Sequence, residues 1–446
     1  MFNIIKKKFT HTRIIALSFA VIILIGSVLL TLPIASRNRT VTPFINSLFT
    51  AVSSTCVTGL SVYDTYSHWS LFGQLVILCM IQIGGLGFMT IIVMLSLLRK
   101  KGTSLHERRL LMQSAGSIEM DGINKLLKSI FAGTFLFEFV GAVLLSFRFC
   151  GQMGIKKGIW YAVFHSISAF CNAGFDLMGQ FGETSFTDYS DDWLVNLTLI
   201  FLITMGGLGF LVWNDLLKNK FHFKNYSLHT KIVITTSFIL LFGGTVVFFF
   251  TEKNHAFAGM SIPNQILCSF FQSATTRTAG FFTVQQADLS NSGSIISSVL
   301  MLIGGSSGST AGGIKTTTFA VFIISNFCFA RNNDNIVAFK KRLDTSAVKQ
   351  AGSIVCVYIS AVIVSSFIIC AIEPFGMREI FYETISAIAT VGLSMNMTPS
   401  LSIVSKIIIA LLMYTGRIGG MSMVMVLAEK KDRSPLERPV GKILIG

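Results

Sequence analysis

Apolar residues run along this chain in long uninterrupted blocks. Seven of them reach the length a helix needs to cross a hydrocarbon core, about 17–25 residues: Ile14–Leu32, Leu75–Leu98, Leu127–Phe147, Leu194–Trp213, Ile232–Phe250, Ile354–Ile372 and Ile403–Leu427. An eighth, over 292–330, is apolar at both ends and glycine-rich in the middle. Between the first and second block of each pair lies an amphipathic stretch of ten to fifteen residues, followed by a short glycine-bearing run. The predicted unit is a span, a helix too short to span, a loop and a second span.

Aligning the four amphipathic stretches on one glycine exposes an internal repeat. They read Phe49-TAVSSTCVT-Gly59-Leu60, Phe164-HSISAFCNA-Gly174-Phe175, Phe270-FQSATTRTA-Gly280-Phe281 and Tyr382-ETISAIATV-Gly392-Leu393. An aromatic stands ten residues before the glycine and a large apolar residue follows it in every copy. Ser53, Ser168 and Ser386 stand six residues before it, with Ala274 in the third copy. A second landmark follows in each unit: Gly84-Gly85-Leu86-Gly87-Phe88, Gly206-Gly207-Leu208-Gly209-Phe210, Gly304-Gly305-Ser306-Ser307-Gly308 and Gly416-Arg417-Ile418-Gly419-Gly420. The aligned glycines are 115, 106 and 112 residues apart, which divides the chain into repeats at 1–99, 100–218, 219–331 and 332–446. The expected fold is an all-α integral membrane protein. It has four tandem span–pore-helix–span repeats, eight transmembrane helices in all, in pseudo-fourfold arrangement.

Composition agrees with that solvent. Of 446 residues 52% are hydrophobic and 13% charged, half the share of a soluble domain. The net charge of +15 is topological rather than a nucleic-acid footprint. Of the 36 Lys and Arg residues, 25 fall on the tails and on alternate connections: before Ile14, in 99–128, 218–231 and 331–349, and in 430–442. That bias puts both termini on the cytoplasmic side of the cell membrane. Lys6-Lys7-Lys8 ahead of the first span resembles a signal peptide, but the span is too long, lacks a small-residue cleavage site and has further spans after it. The eight cysteines show no CxxC spacing and read as small buried hydrophobes.

Non-helical backbone at membrane depth survives only inside protein or beside water. Four copies in one chain therefore predict a ring around an aqueous path. The candidate ring residues are Val57, Thr58 and Gly59; Asn172, Ala173 and Gly174; Thr278, Ala279 and Gly280; and Thr390, Val391 and Gly392. Glycine accepts both signs of φ, so successive carbonyls can face one axis and replace the hydration shell of K+. The short helices would aim their negative C-terminal ends at a cation below. The loops carry no carboxylate, so selection would rest on carbonyl geometry.

These features look like the Trk/Ktr/HKT superfamily of potassium transporters. The resemblance is carried by the fourfold unit, the single ring glycine per repeat and the string GGSSGSTAGGIK at 304–315, and it covers essentially the whole chain. Length and the absence of extra N-terminal spans are most similar to the Ktr-type membrane subunits. The filter keeps only the glycine of the TVGYG string of potassium channels. The resemblance implies a homodimer docked on a cytosolic ring of RCK-type, KtrA-like regulatory subunits that carry the nucleotide. No cofactor is then expected in this chain, K+ being the transported ion, with dependence of its uptake on Na+ left open. The contact surface would be the basic segments Arg99–Arg109 and Lys340–Arg342 with the C-terminal tail.

The glycine-rich interruption holds Gly304, Gly305, Ser306, Ser307, Gly308, Ser309, Thr310, Gly312, Gly313 and Lys315. Each interior glycine costs a helix about 0.8–1.0 kcal/mol against alanine, so this run is expected to be an intramembrane loop. The resemblance makes it the gate. Its hydroxyls would either contact the ion or fill space. Arg417 is an intramembrane charge, costly and functional by default. It would cap free carbonyls of the loop, stand as a positive barrier in the pore, as the resemblance implies, or do both. Lys315 would snorkel or pin the loop, Arg277 would tie the third loop from behind, and Glu138 needs a partner the sequence does not name. Asp215 and Glu429 are read as solvated span ends.

Nothing in the chain matches a nucleophile elbow, HExxH, Walker A or dinucleotide fingerprint, so an enzyme is disfavoured. An alternating-access carrier built on inverted repeats is the rival transporter scheme. The four parallel repeats fit a coaxial pore better, with a less selective Na+/K+ pathway as the other alternative.

Overall fold

The computed structural model describes residues 11–87, 123–181, 185–220, 222–333 and 335–419. The first repeat holds α1 (His11–Thr31), α2 (Phe44–Cys56), the one-turn α3 (Thr65–His68) and α4 (Leu71–Leu86). The second holds α5 (Ile123–Met153), α6 (Ile155–Phe170), α7 (Trp193–Leu208) and α8 (Phe210–Asn219). The third holds α9 (Leu228–Glu252), α10 (Ile262–Thr275), α11 (Asn291–Leu302) and α12 (Thr316–Ala330). The fourth opens on a two-stranded hairpin, Val337–Ala338 with Lys341–Arg342, and continues with α13 (Thr345–Ile372), α14 (Met377–Ala389) and α15 (Ile403–Ile418). The chain is thus mostly helical, and among the described residues α1, α5, α9 and α13 are long and apolar enough to cross a membrane. The bent pair α7–α8 makes a fifth span if counted as one. Glu429, the Arg99–Arg109 segment and the C-terminal tail lie outside the described residues. Lys340, Lys341 and Arg342 stand exposed on the hairpin.

Each short helix packs against the long helix that precedes it: α2 on α1, α6 on α5, α10 on α9, α14 on α13. Each second helix then packs against the short helix of the following repeat: α4 on α6, α7 on α10, α11 on α14, and α15 back on α2. This handover from repeat to repeat closes on itself, which places the four short helices around a common centre. They are 13, 16, 14 and 13 residues long.

The ends at which the second helices begin are tied by one recurrent device. Ser70, Asp192, Ser290 and Ser402 each N-cap the second helix of their repeat, accepting from the N–H of Gly73, Val195, Gly293 and Ser405 at 3.3, 3.1, 2.9 and 3.4 Å. The same residues reach back to the first helix or just past its end. Ser70 donates to Ile34 O (2.6 Å), Asp192 pairs with Arg148 (2.6 Å), and Ser290 donates to Glu252 (2.6 Å). The N–H of Ser402 donates to Glu373 (2.9 Å). Capping satisfies donors that the apolar surroundings would otherwise leave bare.

Three expected spans are corrected. Leu75–Leu98, Leu194–Trp213 and Ile403–Leu427 are not continuous helices. α4 ends at Leu86, α7 at Leu208 and α15 at Ile418, each on a glycine, Gly87, Gly209 and Gly419, with φ of 81°, 90° and 92° and ψ of 130°, 148° and 144°. Side chains beyond glycine avoid that region. At Gly209 the helix axis turns by 93°. The second helix of every repeat ends at this landmark, at Leu302 just before Gly304 in the third and two residues past the first glycine in the others.

The first glycine of the same motif has a different task. A Cβ on Gly84, Gly206 or Gly416 would stand 2.0, 2.0 or 1.9 Å from the carbonyl oxygen of Thr55, Phe170 or Ile388, four residues before the ring glycine of each repeat. The second helix therefore lies backbone-on-backbone against its short helix. Gly206→Ala is expected to destabilise the purified protein by about 1–3 kcal/mol, the usual cost of overpacking. Gly352→Ala, where a Cβ would meet nothing within 4 Å, should be neutral or gain up to about 1 kcal/mol of helix propensity. Thermal melts of the two variants in one detergent check the contrast, and equal melting shifts would refute the packing role.

Candidate functional site

The four short helices end in the same way. The residue two before each glycine carries a left-handed φ: 57° at Val57, 58° at Asn172, 70° at Thr278 and 51° at Thr390. The glycines follow at 96°, 68°, 84° and 95°. Val57, Thr278 and Thr390 are β-branched, for which this region is an outlier costing about 1–3 kcal/mol each. Such strain persists only where the surroundings over-determine it.

The surroundings are visible. In three repeats the N–H one before the glycine closes onto the carbonyl of the serine six before it: Thr58 onto Ser53, Ala173 onto Ser168, Val391 onto Ser386, all at 2.8 Å. The hydroxyls of those serines brace the far side of the loop. Ser53 and Ser386 accept from the N–H of Gly59 (3.1 Å) and Gly392 (3.0 Å), and Ser168 donates to Phe175 O (2.8 Å). In the third repeat Ala274 has no hydroxyl, and the neighbouring Thr275 donates to Phe281 O instead. The conspicuous serine of the repeat is a brace, a role that its position alone did not reveal. Arg277 is the expected tie from behind: buried, it donates to the Ser237 hydroxyl (3.0 Å) and carbonyl (3.4 Å) on α9.

The ring itself is closed. A Cβ on Gly59 would stand 2.6 Å from Ala173 O, one on Gly174 2.8 Å from Ala279 O, one on Gly280 2.6 Å from Val391 O, and one on Gly392 2.1 Å from Thr58 O. Each glycine thus looks at the carbonyl next to the glycine of the following repeat, and the sequence of contacts returns to its start. All four glycines line one cavity of about 240 Å³. The apolar residues behind them, Leu60, Phe175, Phe281 and Leu393, are buried. Thr58, Thr278, Thr390 and Asn172 keep buried side-chain oxygen or nitrogen atoms without a hydrogen-bond partner.

Although the loops lack carboxylates, the fold brings two to the mouth. Asp64 and Asp176 line the same cavity as the glycines. Each is held by a backbone donor, Asp64 by the Ser67 N–H (2.6 Å) and Asp176 by the Met178 N–H (2.9 Å). Neither belongs to the repeat, so the sequence offered no means of pairing them.

On the other side of the ring lies the interruption between α11 and α12. Its base is zipped by Gly304 N–H to Ile314 O (2.9 Å) and Ile314 N–H to Leu302 O (3.1 Å). The rest docks on the broken end of α7. The N–H groups of Ser306 and Thr310 donate to Gly207 O (2.9 Å) and Gly206 O (3.3 Å), and that of Phe210 donates to Gly308 O (2.9 Å). The break at Gly209 frees helix-end carbonyls, and the loop supplies their donors. The loop hydroxyls are engaged by protein: Ser306 with Leu208 O, Ser309 with Ser306 O (2.7 Å), Thr310 with Phe170 O (3.1 Å) and Ser307 with Thr317 (3.1 Å). Gly312 and Gly313 pass beneath the fourth ring loop, where a Cβ on Gly312 would meet Thr390 Oγ1 at 1.9 Å.

Lys315 pins the loop, donating to Ala311 O (2.6 Å). Arg417 donates to Thr310 O in the loop and to Gly84 O and Gly85 O (3.2 Å) at the broken end of α4. The guanidinium therefore spans from the first repeat to the third. Glu138 is buried and its partner is a neutral amide: Gln82 Nε2 donates to it (3.0 Å). The other end of that amide accepts from the Cys171 thiol (3.6 Å), directly before Asn172. Asp215, read as solvated, is half-exposed and takes the Ser227 N–H (2.9 Å) and the Asn219 amide (2.6 Å).

The family described as TrkH, cation transport protein, matches residues 6–435. The potassium/sodium uptake protein NtpJ of Enterococcus hirae is 37% identical, over 99% of this chain and 98% of that one. The Ktr system potassium uptake protein B of Bacillus subtilis is also 37% identical, over 98% of this chain and 97% of its own length. Among solved structures, the potassium transporter TrkH from Vibrio parahaemolyticus shares the fold, with a TM-score of 0.73 over 95% of this chain and 86% of that one at 16% identity.

Proposed function

Because this chain belongs to the TrkH family of cation transport proteins, we propose that it is the ion-translocating membrane subunit of a potassium uptake system. K+ passes along the axis of the four-glycine ring. One observation carries the reading: the ring closes, each glycine facing the carbonyl beside the next. A dehydrated cation needs such a shell of oxygens, and a ring built from four segments of one chain supplies it. In this reading Val57–Gly59, Asn172–Gly174, Thr278–Gly280 and Thr390–Gly392 form the selectivity filter, and Asp64 and Asp176 raise the local cation concentration at its mouth.

The Gly304–Lys315 loop is the gate. Its hydrogen bonds to α7 are numerous and mostly to backbone, so it has a defined closed position and can release as a unit. Arg417 holds that position and places a positive charge beside the path. The four repeats each contribute two spans, the second broken at glycine, and both termini face the cytoplasm of the cell membrane. The working unit is a homodimer on an RCK-type regulatory ring, with Lys340–Arg342 on the exposed hairpin as part of the contact.

A second reading, a less selective Na+/K+ pathway, is favoured by the filter: only glycine recurs in every repeat, and the other ring positions mix Val, Thr, Asn and Ala. Uptake of ⁸⁶Rb+ by a K+-uptake-deficient strain expressing the chain, with and without Na+, separates the two. Rescue of growth at micromolar K+ with ⁸⁶Rb+ uptake that excess Na+ does not inhibit supports a potassium system, Na+-dependent if Na+ stimulates that uptake. Equal ²²Na+ uptake supports the second reading, and no flux of either ion sinks both.

A further inference from the structure

Away from the ring, α1, α2 and α15 enclose a groove of about 280 Å³. Ala20 and Leu24 of α1 and Ile407, Ala410 and Tyr414 of α15 form its walls, α2 its floor, and Lys406 lines one end. The far end is shut where Tyr414 donates to Ala16 O (2.7 Å). From Lys406 to Tyr414 the groove runs about 12 Å at 1.5 Å per helical residue. Its rims continue into outward-facing apolar residues: Leu17, Leu24 and Leu411 are 54%, 55% and 58% exposed.

Lys406 is the anomaly. It is 9% exposed, its ammonium donates to Asn46 Oδ1 at 3.3 Å, and among the described residues no carboxylate comes within 4.0 Å of it. Glu373, the acidic group at the adjacent helix end, attracts Lys406 from a distance but accepts the Ser402 N–H and forms no ion pair with it. A poorly paired cation at the end of an acyl-wide apolar trough matches a ligand with an anion at one end and hydrocarbon behind it. A second protein chain would have to bring a carboxylate at the same point and a single narrow apolar ridge behind it. Buried lysines put their stems along apolar surface and their charge where an anion can reach it.

We infer that this groove binds one acyl chain of an anionic phospholipid, with its phosphate on Lys406. The site is joined to the ion path. The Asn46 amide that meets Lys406 donates from its other end to the Tyr63 hydroxyl (2.7 Å), and Tyr63 lines the cavity at the ring.

The test uses full-length protein in nanodiscs containing photoactivatable phosphatidylglycerol or phosphatidylethanolamine, with cross-links mapped by mass spectrometry. Phosphatidylglycerol should label α1 and α15 along the groove in preference to phosphatidylethanolamine. Lys406→Gln should remove that preference, a loss of about fivefold for a contact of about 1 kcal/mol. Ala410→Phe, and independently Ala20→Phe, should fill the groove and abolish its labelling while labelling elsewhere persists. The inference falls if wild-type labelling of the groove ignores the headgroup, or if it survives both filling variants. It falls equally if the groove residues cross-link to a second copy of the chain, which would make this face a subunit interface. None of these readouts depends on transport, so the lipid site and the potassium reading fail separately.

Discussion

Gly392→Ser is expected to remove most potassium uptake and to admit sodium. Gly392 sits at φ 95°, and a Cβ there would stand 2.1 Å from Thr58 O, the tightest approach of the four in the ring. The substitution imposes a left-handed serine, about 1–3 kcal/mol, and pushes away a carbonyl of the proposed filter. At 1.4 kcal/mol per factor of ten, the intact ring falls by roughly tenfold to a hundredfold. What remains is a wider, displaced oxygen cage that no longer matches K+. The approaches predict an order as well: Gly392 (2.1 Å), then Gly59 and Gly280 (2.6 Å each), then Gly174 (2.8 Å). Paired ⁸⁶Rb+ and ²²Na+ uptake by the four serine variants measures it. If Gly392→Ser transports with wild-type rate and preference, the ring is not the filter.

Arg417→Gln is expected to raise flux through the closed state. Three carbonyls, Thr310 O, Gly84 O and Gly85 O, lose a charged donor. Each charge-assisted hydrogen bond contributes about 1.5–3 kcal/mol, so losing even one net bond frees the loop by about tenfold or more. The same change removes a positive charge beside the proposed path, which acts in the same direction. Arg417→Lys separates the two effects: the charge stays, but a single ammonium cannot span the first and third repeats as a planar fork does. Liposome flux in the order Gln above Lys above wild type would assign both roles. Flux that falls in both variants would make Arg417 a folding residue alone.

Much of this architecture was legible beforehand because it is written in one dimension. The aromatic, the glycine and the apolar residue at constant offset marked the four loops. The run of five glycines in ten residues announced a break between α11 and α12. The intramembrane position of Arg417 marked it as a residue needing carbonyls. Where reading failed, the missing information was a partner. GGLGF was visible as a repeated string, yet its glycines divide into one for backbone contact, Gly84 or Gly206, and one for the break, Gly87 or Gly209. Ser53, Ser168 and Ser386 were visible as a column, but only the loop's return past them makes them braces. Glu138 was visible as a buried acid, and its partner Gln82 lies 56 residues away in another repeat.

By itself the sequence determined the solvent, the number of units and the residues at each loop. Apolar block length, glycine placement and internal repetition are properties of neighbours along the chain. The tertiary structure alone decided that the ring closes, that the third repeat's loop docks on the second repeat's broken helix, and that Asp64 and Asp176 share its mouth. Those outcomes depend on which carbonyl finds which donor across repeats. In an apolar medium that matching is obligatory, but many matchings satisfy the same sequence pattern until packing selects one.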